Sequence, residues 1–159
     1  MATFDRILQD KRLIRVVIRL RHGEFNDRRF YAYPRCLEWM NSVVPTLVTG
    51  RLQVTPAEQL MTRLRQWITG KPMAYGRMFQ DLMPPKDEVW ELKTADLRIF
   101  GWMYRPREFI AVLGGYADDY KEPTKRKNYE DDRRAVVAAR EALPLDGQKY
   151  VTGEFDELV

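Results

Sequence analysis

The amino-acid sequence predicts a single α+β domain in which an N-terminal strand and two helices pack on an antiparallel β-meander, followed by a C-terminal helix. Three runs rich in β-branched and aromatic residues, 89–93, 97–104 and 109–113, are separated by short polar connectors, as consecutive antiparallel strands are. The chain has 159 residues, of which 45% are hydrophobic, and this suits one domain with one core. We assign residues 1–144 to this domain. Residues 145–159 form a tail that is either mobile or docked as an extension.

The first predicted element is a strand over residues 13–21. Its apolar face would hold Ile14, Val16, Ile18 and Leu20, and its other face Arg15, Val17, Arg19 and Arg21. Two further arginines, Arg28 and Arg29, precede the aromatic residues Phe30, Tyr31 and Tyr33. Interleaved basic and aromatic side chains suit phosphate contacts with base stacking, so the nucleic-acid contacts predicted here are Arg15, Arg19, Arg21, Arg28 and Arg29. The alternative is that these arginines only solvate a surface.

Three helices are predicted from caps and spacing. The first begins at Pro34 and ends at Pro45, and the second begins with the capping box Thr55-Pro56-Ala57-Glu58 and ends at Gly70. The sequence pattern of residues 71–85 predicts irregular chain, or a short helix near residues 76–82. The last helix covers about 128–143, with acidic residues in its first turn.

The middle run of the meander has two distinct faces. Leu97, Ile99 and Met103 point one way, whereas the other face carries Arg98, Phe100, Trp102 and Tyr104. The continuously apolar run 109–113 predicts an inner strand that is buried on both faces.

Several kinds of chemistry are excluded by composition. One cysteine, Cys36, and one histidine, His22, cannot form an internal disulfide or a structural zinc site, and we interpret Cys36 as a small buried residue. The acidic residues at 118–119 and 130–132 are explained by a turn and by the helix dipole, so neither a metal nor a cofactor is expected. No run approaches the roughly 20 apolar residues of a membrane span, and no signal peptide is apparent, so the expected location is the cytoplasm.

Charge is distributed unevenly along the chain. The net charge is +4, with +7 in residues 1–72 and −3 in residues 73–159. An anionic partner would therefore be attracted to the first half.

Four motifs of the second half occur in an ordered set: Val89-Trp-Glu-Leu-Lys93, Leu97-Arg-Ile-Phe100, Phe109-Ile-Ala-Val-Leu-Gly-Gly-Tyr116 and a charged helix that ends near Leu143. Over about residues 86–143 this set resembles toxins of the RelE/ParE superfamily, with the HigB and phage Gp49-like branch nearest. The resemblance implies a RelE-like fold and a metal-independent endoribonuclease that cuts mRNA on the ribosome. It also implies a cognate antitoxin, and the toxin could form homo-oligomers.

The resemblance assigns roles to four residues. Arg98 would bind the scissile phosphate, since a guanidinium reaches two phosphate oxygens and stays charged. Lys93 would stabilise charge or, if desolvated, act as a base. Tyr116 would stack on a base, and Lys121 would represent the Lys-rich turn of the family. Structural alternatives are an ion pair of Arg98 with Glu91 and a core position for Tyr116.

Two other functions stay open. The acidic turn Ala117-Asp118-Asp119, where the family commonly has lysines, favours a non-catalytic protein such as a gyrase-type inhibitor. The arginines of the first half favour a plain RNA- or DNA-binding domain whose affinity falls steeply with salt.

Overall fold

The computed structural model describes residues 1–48 and 53–159, which form a six-stranded mixed sheet with helices on both faces. The helices are α1 (Phe4–Gln9), α2 (Pro34–Glu38), α3 (Pro56–Ile68), α4 (Tyr129–Ala142) and α5 (Phe155–Leu158). The strands are β1 (Ile14–Val16), β2 (Arg29–Ala32), β3 (Phe79–Asp81), β4 (Trp90–Lys93), β5 (Leu97–Arg105) and β6 (Glu108–Tyr116). The predicted α+β class is confirmed.

The strand order in the sheet is β1-β2-β6-β5-β4-β3. Strands β2 and β6 are parallel, and every other neighbouring pair is antiparallel. The predicted meander is therefore present as β4-β5-β6. The sequence did not predict β2 as a strand, yet β2 joins β1 to the meander.

The two faces of the sheet bury separate groups of side chains. On one face, called the α3 face, residues of α2 and α3 pack on Leu97, Ile99, Met103 and Phe109. On the opposite face, called the α4 face, residues of α1 and α4 pack on Phe100, Trp102 and Ile110. The predicted division of β5 into two faces is confirmed. Strand β6 lies between β2 and β5, as expected of an inner strand.

Local sequence signals located helices α2, α3 and α4, whereas α1 and α5 were not predicted. Thr55 caps α3, where its side chain accepts a hydrogen bond from the Glu58 amide and Glu58 accepts one from the Thr55 amide. Asn128 caps α4 in a similar way, through the amide of Glu130. Helix α2 begins at Pro34 as predicted but continues as a π-helical turn, Trp39–Val43, and a 3-10 turn that contains Pro45.

Two predicted elements differ from the structure. Strand pairing in the segment 13–21 is limited to Ile14–Val16, because Asp27 and Arg28 leave the sheet and donate their amides to Ile68 at the end of α3. The alternation of exposure nevertheless continues to Leu20. Near residues 76–82 the expected short helix is wrong, since β3 forms there as an edge strand paired with β4.

The segment 145–159 is docked on the domain. Leu145 and Leu158 are buried, and the Arg107 amide donates a 2.7 Å hydrogen bond to Leu158 O. Among the described residues, no helix combines the length and the apolar character needed to cross a membrane.

Candidate active site

Ionisable side chains gather on the α4 face at the end of the meander where β4 turns into β5. Lys93 and Arg98 are partners in the β4–β5 register, and Arg98 is also the partner of Gly115 on β6. Paired residues of neighbouring antiparallel strands point to the same face. Glu91, two positions before Lys93, therefore also lies on this face.

Arg98 is buried, with 8% of its surface exposed. Its Nη1 donates to Thr94 O at 2.7 Å and to Leu97 O at 2.9 Å, so the guanidinium closes the β4–β5 turn. Its Nε is buried without a hydrogen-bond partner among the described residues. The charge of Arg98 acts on Glu91 and Lys93, but Arg98 forms no ion pair with Glu91 within the described chain.

Lys93 is held between polar groups. Its Nζ donates to Gly76 O at 2.9 Å and lies 3.9 Å from Glu91 Oε1. Burial lowers the pKa of Lys93, the positive charges of Arg98 and Lys121 lower it further, and Glu91 opposes them. The ammonium group is therefore a better proton donor than that of a solvated lysine.

Glu91 is the ionisable residue that the sequence did not place in a catalytic role. Its side chain is 1% exposed, its Oε1 accepts a 2.5 Å hydrogen bond from Gln80 Nε2, and its Oε2 has no partner among the described residues. Burial raises the pKa of Glu91, opposed by Gln80, Lys93 and Arg98. A carboxyl group with a raised pKa and an unpartnered oxygen is a stronger proton acceptor than a solvated carboxylate.

A cavity of about 440 Å³ adjoins this cluster and is lined by Tyr75, Gln80, Asp81, Leu82, Met83, Glu91 and Tyr129. Tyr129, the first residue of α4, packs edge-on against Phe100 with ring centroids 5.7 Å apart. Burial and the charge of Glu91 raise the pKa of Tyr129, whereas a hydrogen bond with Arg98 lowers it. Glu91, Arg98 and Tyr129 therefore form one connected group beside the cavity.

The turn after β6 supplies two more lysines. Lys121 Nζ lies 3.8 Å from Asp118 Oδ1 and is exposed, and its charge reaches Lys93. Lys127, which the sequence did not predict, donates to Gly114 O at 3.3 Å and lies 5.9 Å from the ring centroid of Tyr120. Asp118 partly neutralises Lys121, whereas Asp119 accepts the amides of Arg126 and Lys127 through its main-chain carbonyl.

Tyr116 lies on the other face of the sheet. It pairs with Leu97 and packs against the core of the α3 face. A bulge in β6 is the cause, because Phe100 pairs with Leu113 but Gly101 pairs with Ala111, which leaves one extra residue, Val112. Beyond it Gly115, not Tyr116, faces Arg98. Of the four residues assigned by resemblance, the structure thus groups Lys93, Arg98 and Lys121 and separates Tyr116.

The arginines that were predicted to contact nucleic acid also fall into an exposed group and a buried residue. Arg15, Arg19 and Arg21 are exposed, and Arg29 Nη1 lies 3.3 Å from Glu108 Oε1. Arg28 is 5% exposed, and its Nη1 donates to Lys71 O at 2.9 Å, to Trp67 O at 3.3 Å and to Gln66 O at 3.4 Å. Arg28 therefore caps the end of α3 instead of joining the exposed arginines, because its side chain turns into the domain.

Arg15, the exposed arginine of β1, and the ionisable cluster lie towards opposite edges of the sheet. Three strands separate β1 from β4, which corresponds to roughly 19 Å at the usual strand spacing. One nucleotide could not touch both sites, although a longer RNA strand could.

Cys36 and His22 take no part in this site. Cys36 is buried, as predicted, and burial raises the pKa of its thiol to about 12, which disfavours the nucleophilic thiolate. His22 is exposed in a turn. Among the described residues, no group of three or more His, Cys, Asp or Glu side chains is arranged to hold a metal ion.

Comparisons with known proteins add no family. A scan against models of protein families, a search of curated proteins and a search of solved structures each found no match.

Proposed function

We propose that this protein is a toxin-like endoribonuclease that cleaves ribosome-associated mRNA without a metal and is neutralised by an antitoxin. The observation that carries the proposal is the pair Glu91 and Lys93, 3.9 Å apart beside a cavity, with one pKa raised and the other lowered by burial. Paired groups whose pKa values are shifted by their surroundings are typical of acid–base sites. The motif resemblance and the antiparallel meander β4-β5-β6 followed by α4 support a RelE-like arrangement.

The reaction that fits these groups is attack of an RNA 2′-oxygen on the adjacent phosphorus. Glu91 Oε2 takes the 2′-hydroxyl proton, and the new 2′-O–P bond forms as the bond from phosphorus to the 5′-oxygen breaks. The ammonium of Lys93 gives a proton to the leaving 5′-oxygen. The products are a 2′,3′-cyclic phosphate and a 5′-hydroxyl end.

The remaining residues of the site stabilise the developing negative charge and position the RNA. The charges of Lys121 and Lys127 oppose the negative charge that develops on the phosphorane oxygens. Arg98 holds the β4–β5 turn and acts on the pKa of Tyr129, and its own charge adds to the same positive field. Tyr129 offers its ring to a base of the RNA inside the cavity.

The test is inducible expression in bacteria of wild type, Glu91→Gln and Lys93→Met, with growth and the 5′ ends of cellular mRNA measured together. Glu130→Gln, which alters an exposed ion pair with Arg134, is the matched control. We expect growth arrest and in-frame cuts with wild type and the control, and no cuts with the other two variants. Cleavage that survives both substitutions would overturn the assignment.

A second candidate is a non-catalytic binding protein of the gyrase-inhibitor type. The burial of Arg98 and its two hydrogen bonds to main-chain carbonyls favour this alternative, since both are structural contacts. Growth arrest without mRNA cuts, unchanged in Glu91→Gln, would identify it.

A further inference from the structure

A smaller cavity lies at the same edge of the sheet but on the α3 face. Its volume is about 220 Å³, and its walls include Tyr75, Asp81, Glu88, Trp90, Glu154 and Phe155. Asp81 and Trp90 are partners in the β3–β4 register, whereas the next pair, Gln80 and Glu91, points to the α4 face. The cavity shares Tyr75 and Asp81 with the cavity beside the candidate active site, but Glu88, Trp90 and Glu154 line this cavity and not the other.

Three carboxylates surround this cavity. Asp81 and Glu88 are half-buried, and Glu154 is exposed at the rim. Burial raises the pKa of Glu88, and the charges of Asp81 and Glu154 add to the rise while Arg140 opposes it. Within the described residues none of the three forms an ion pair. The cavity is thus a local negative site in a chain of net charge +4.

Aromatic rings form the rest of the wall. The rings of Tyr75 and Phe155 lie edge to face with centroids 5.3 Å apart, and the Tyr75 hydroxyl donates to Asp81 Oδ1 at 2.5 Å. Trp90 stacks on Phe79 at 5.3 Å. Aromatic faces combined with carboxylates attract organic cations, because the ring quadrupole and the negative charges act together.

Trp90 also carries an unused donor. Trp90 is 2% exposed, and its buried Nε1 has no hydrogen-bond acceptor among the described residues. A buried indole N–H usually has a partner. A ligand that brings a carbonyl oxygen close to its cationic group would supply one, as a basic residue of a peptide does.

We propose that this cavity binds a lysine or arginine side chain of a partner polypeptide, with the cation among Asp81, Glu88 and Glu154 and a peptide carbonyl on Trp90 Nε1. The volume is below the roughly 300 Å³ at which pockets for drug-sized ligands begin, and it suits a single side chain. The carboxylates do not belong to any metal-binding group found among the described residues. The inference does not depend on RNA cleavage.

The experiment is a titration of the full ¹⁵N-labelled chain, monitored through the tryptophan indole signals, with Trp90→Phe used to assign the signal of Trp90. The probes are acetyl-Gly-Arg-Gly-amide, its lysine counterpart and the uncharged counterpart that contains acetyl-lysine. We expect a saturable shift of the Trp90 signal with both charged peptides and none with the uncharged peptide. In Glu88→Gln/Glu154→Gln the dissociation constant should rise at least tenfold, and in the control Asp156→Asn, which alters a neighbouring acid, it should not change.

Several outcomes would overturn the proposal. The first is that neither charged peptide gives a saturable shift of the Trp90 signal. The second is that the double variant binds the charged peptides as tightly as wild type while its other indole signals are unchanged. The third is that free spermidine binds as tightly as the peptides. The last result would mean that the cavity takes an amine without a polypeptide. Because Glu88 and Glu154 lie outside the proposed active site, RNA cleavage by the double variant should remain at the wild-type level, which separates this test from that of the nuclease.

Discussion

Arg28 and Arg98 are both buried arginines that donate to main-chain carbonyls, yet their surroundings differ. Arg28 binds three carbonyls at the end of α3 and lies 5.1 Å from the ring centroid of Trp67. Burial is the cause of the lowered pKa of Arg28. Arg98 binds two carbonyls, but its charge also acts on Glu91, Lys93 and Tyr129. Burial alone therefore indicates a structural arginine, whereas burial next to other ionisable groups indicates a candidate functional site.

The largest effect is expected at Glu91. Replacement by glutamine keeps the shape and removes the proton acceptor, so RNA cleavage should fall at least about 100-fold, as general bases contribute 10²–10⁴-fold. Cleavage of a defined mRNA by the purified protein in the presence of ribosomes would measure this. A rate within threefold of wild type would remove Glu91 from the reaction.

Replacement of Arg28 and replacement of Arg98 should lower the stability of the protein by different amounts. Arg28→Met should lower the free energy of unfolding by about 3 kcal/mol, and Arg98→Met by about 2 kcal/mol, because each leaves carbonyls without a charged donor. Only Arg98→Met should also reduce cleavage in folded protein. Urea unfolding measures the first quantity, with the exposed Arg15→Met as a control within about 0.5 kcal/mol. Equal loss of cleavage in both folded variants would abolish the distinction.

Lys93 should set the alkaline limb of the pH–rate profile. The pKa of Lys93 is lowered from 10.5 by burial, so wild-type activity should fall at a pH below that of an ordinary lysine. Lys93→Arg keeps the charge but does not titrate, and its residual activity should lack this limb. An unchanged alkaline limb in Lys93→Arg would assign it to another group.

The smallest effect concerns the pH dependence of stability. The folded pKa of Glu91 is raised above its value of 4.5, so the folded state binds the proton more tightly than the unfolded state. Wild type should therefore lose stability relative to Glu91→Gln as pH rises from about 4.5 through the folded pKa. Urea unfolding at a series of pH values measures the free energy of unfolding of wild type minus that of the variant, and an increase of this difference with rising pH would contradict the raised pKa.

Helices α2, α3 and α4 and the meander could be predicted because their signals are local, whereas the short helices α1 and α5 were not predicted. The capping box at Thr55, the proline at the start of α2 and the alternation along β5 each lie within a few residues of the element they define. Strands β2 and β3 were missed, because they are short and their pairing depends on distant partners.

The candidate site was predicted only in part. Lys93 and Arg98 were assigned from the motif resemblance, and they lie side by side because they flank one short turn. Glu91 was not given a role, since a single acidic residue in a strand is usually solvated and only packing shows this one to be buried. Arg28 was interpreted as an exposed basic residue, because the carbonyls that it caps lie about 40 positions further along the chain.

The extra residue in β6 is absorbed at one point, and the pairs on both sides of it keep a regular register with β5. Val112 and Leu113, which are neighbours in the chain, both pack against the core of the α4 face, so the alternation of side chains is interrupted there. Deletion of Val112 would therefore leave Gly115 beside Arg98 and Tyr116 on the opposite face, because their partners on β5 would not change. The face on which each residue near this site lies thus follows from strand pairing and cannot be obtained by counting alternate positions along β6.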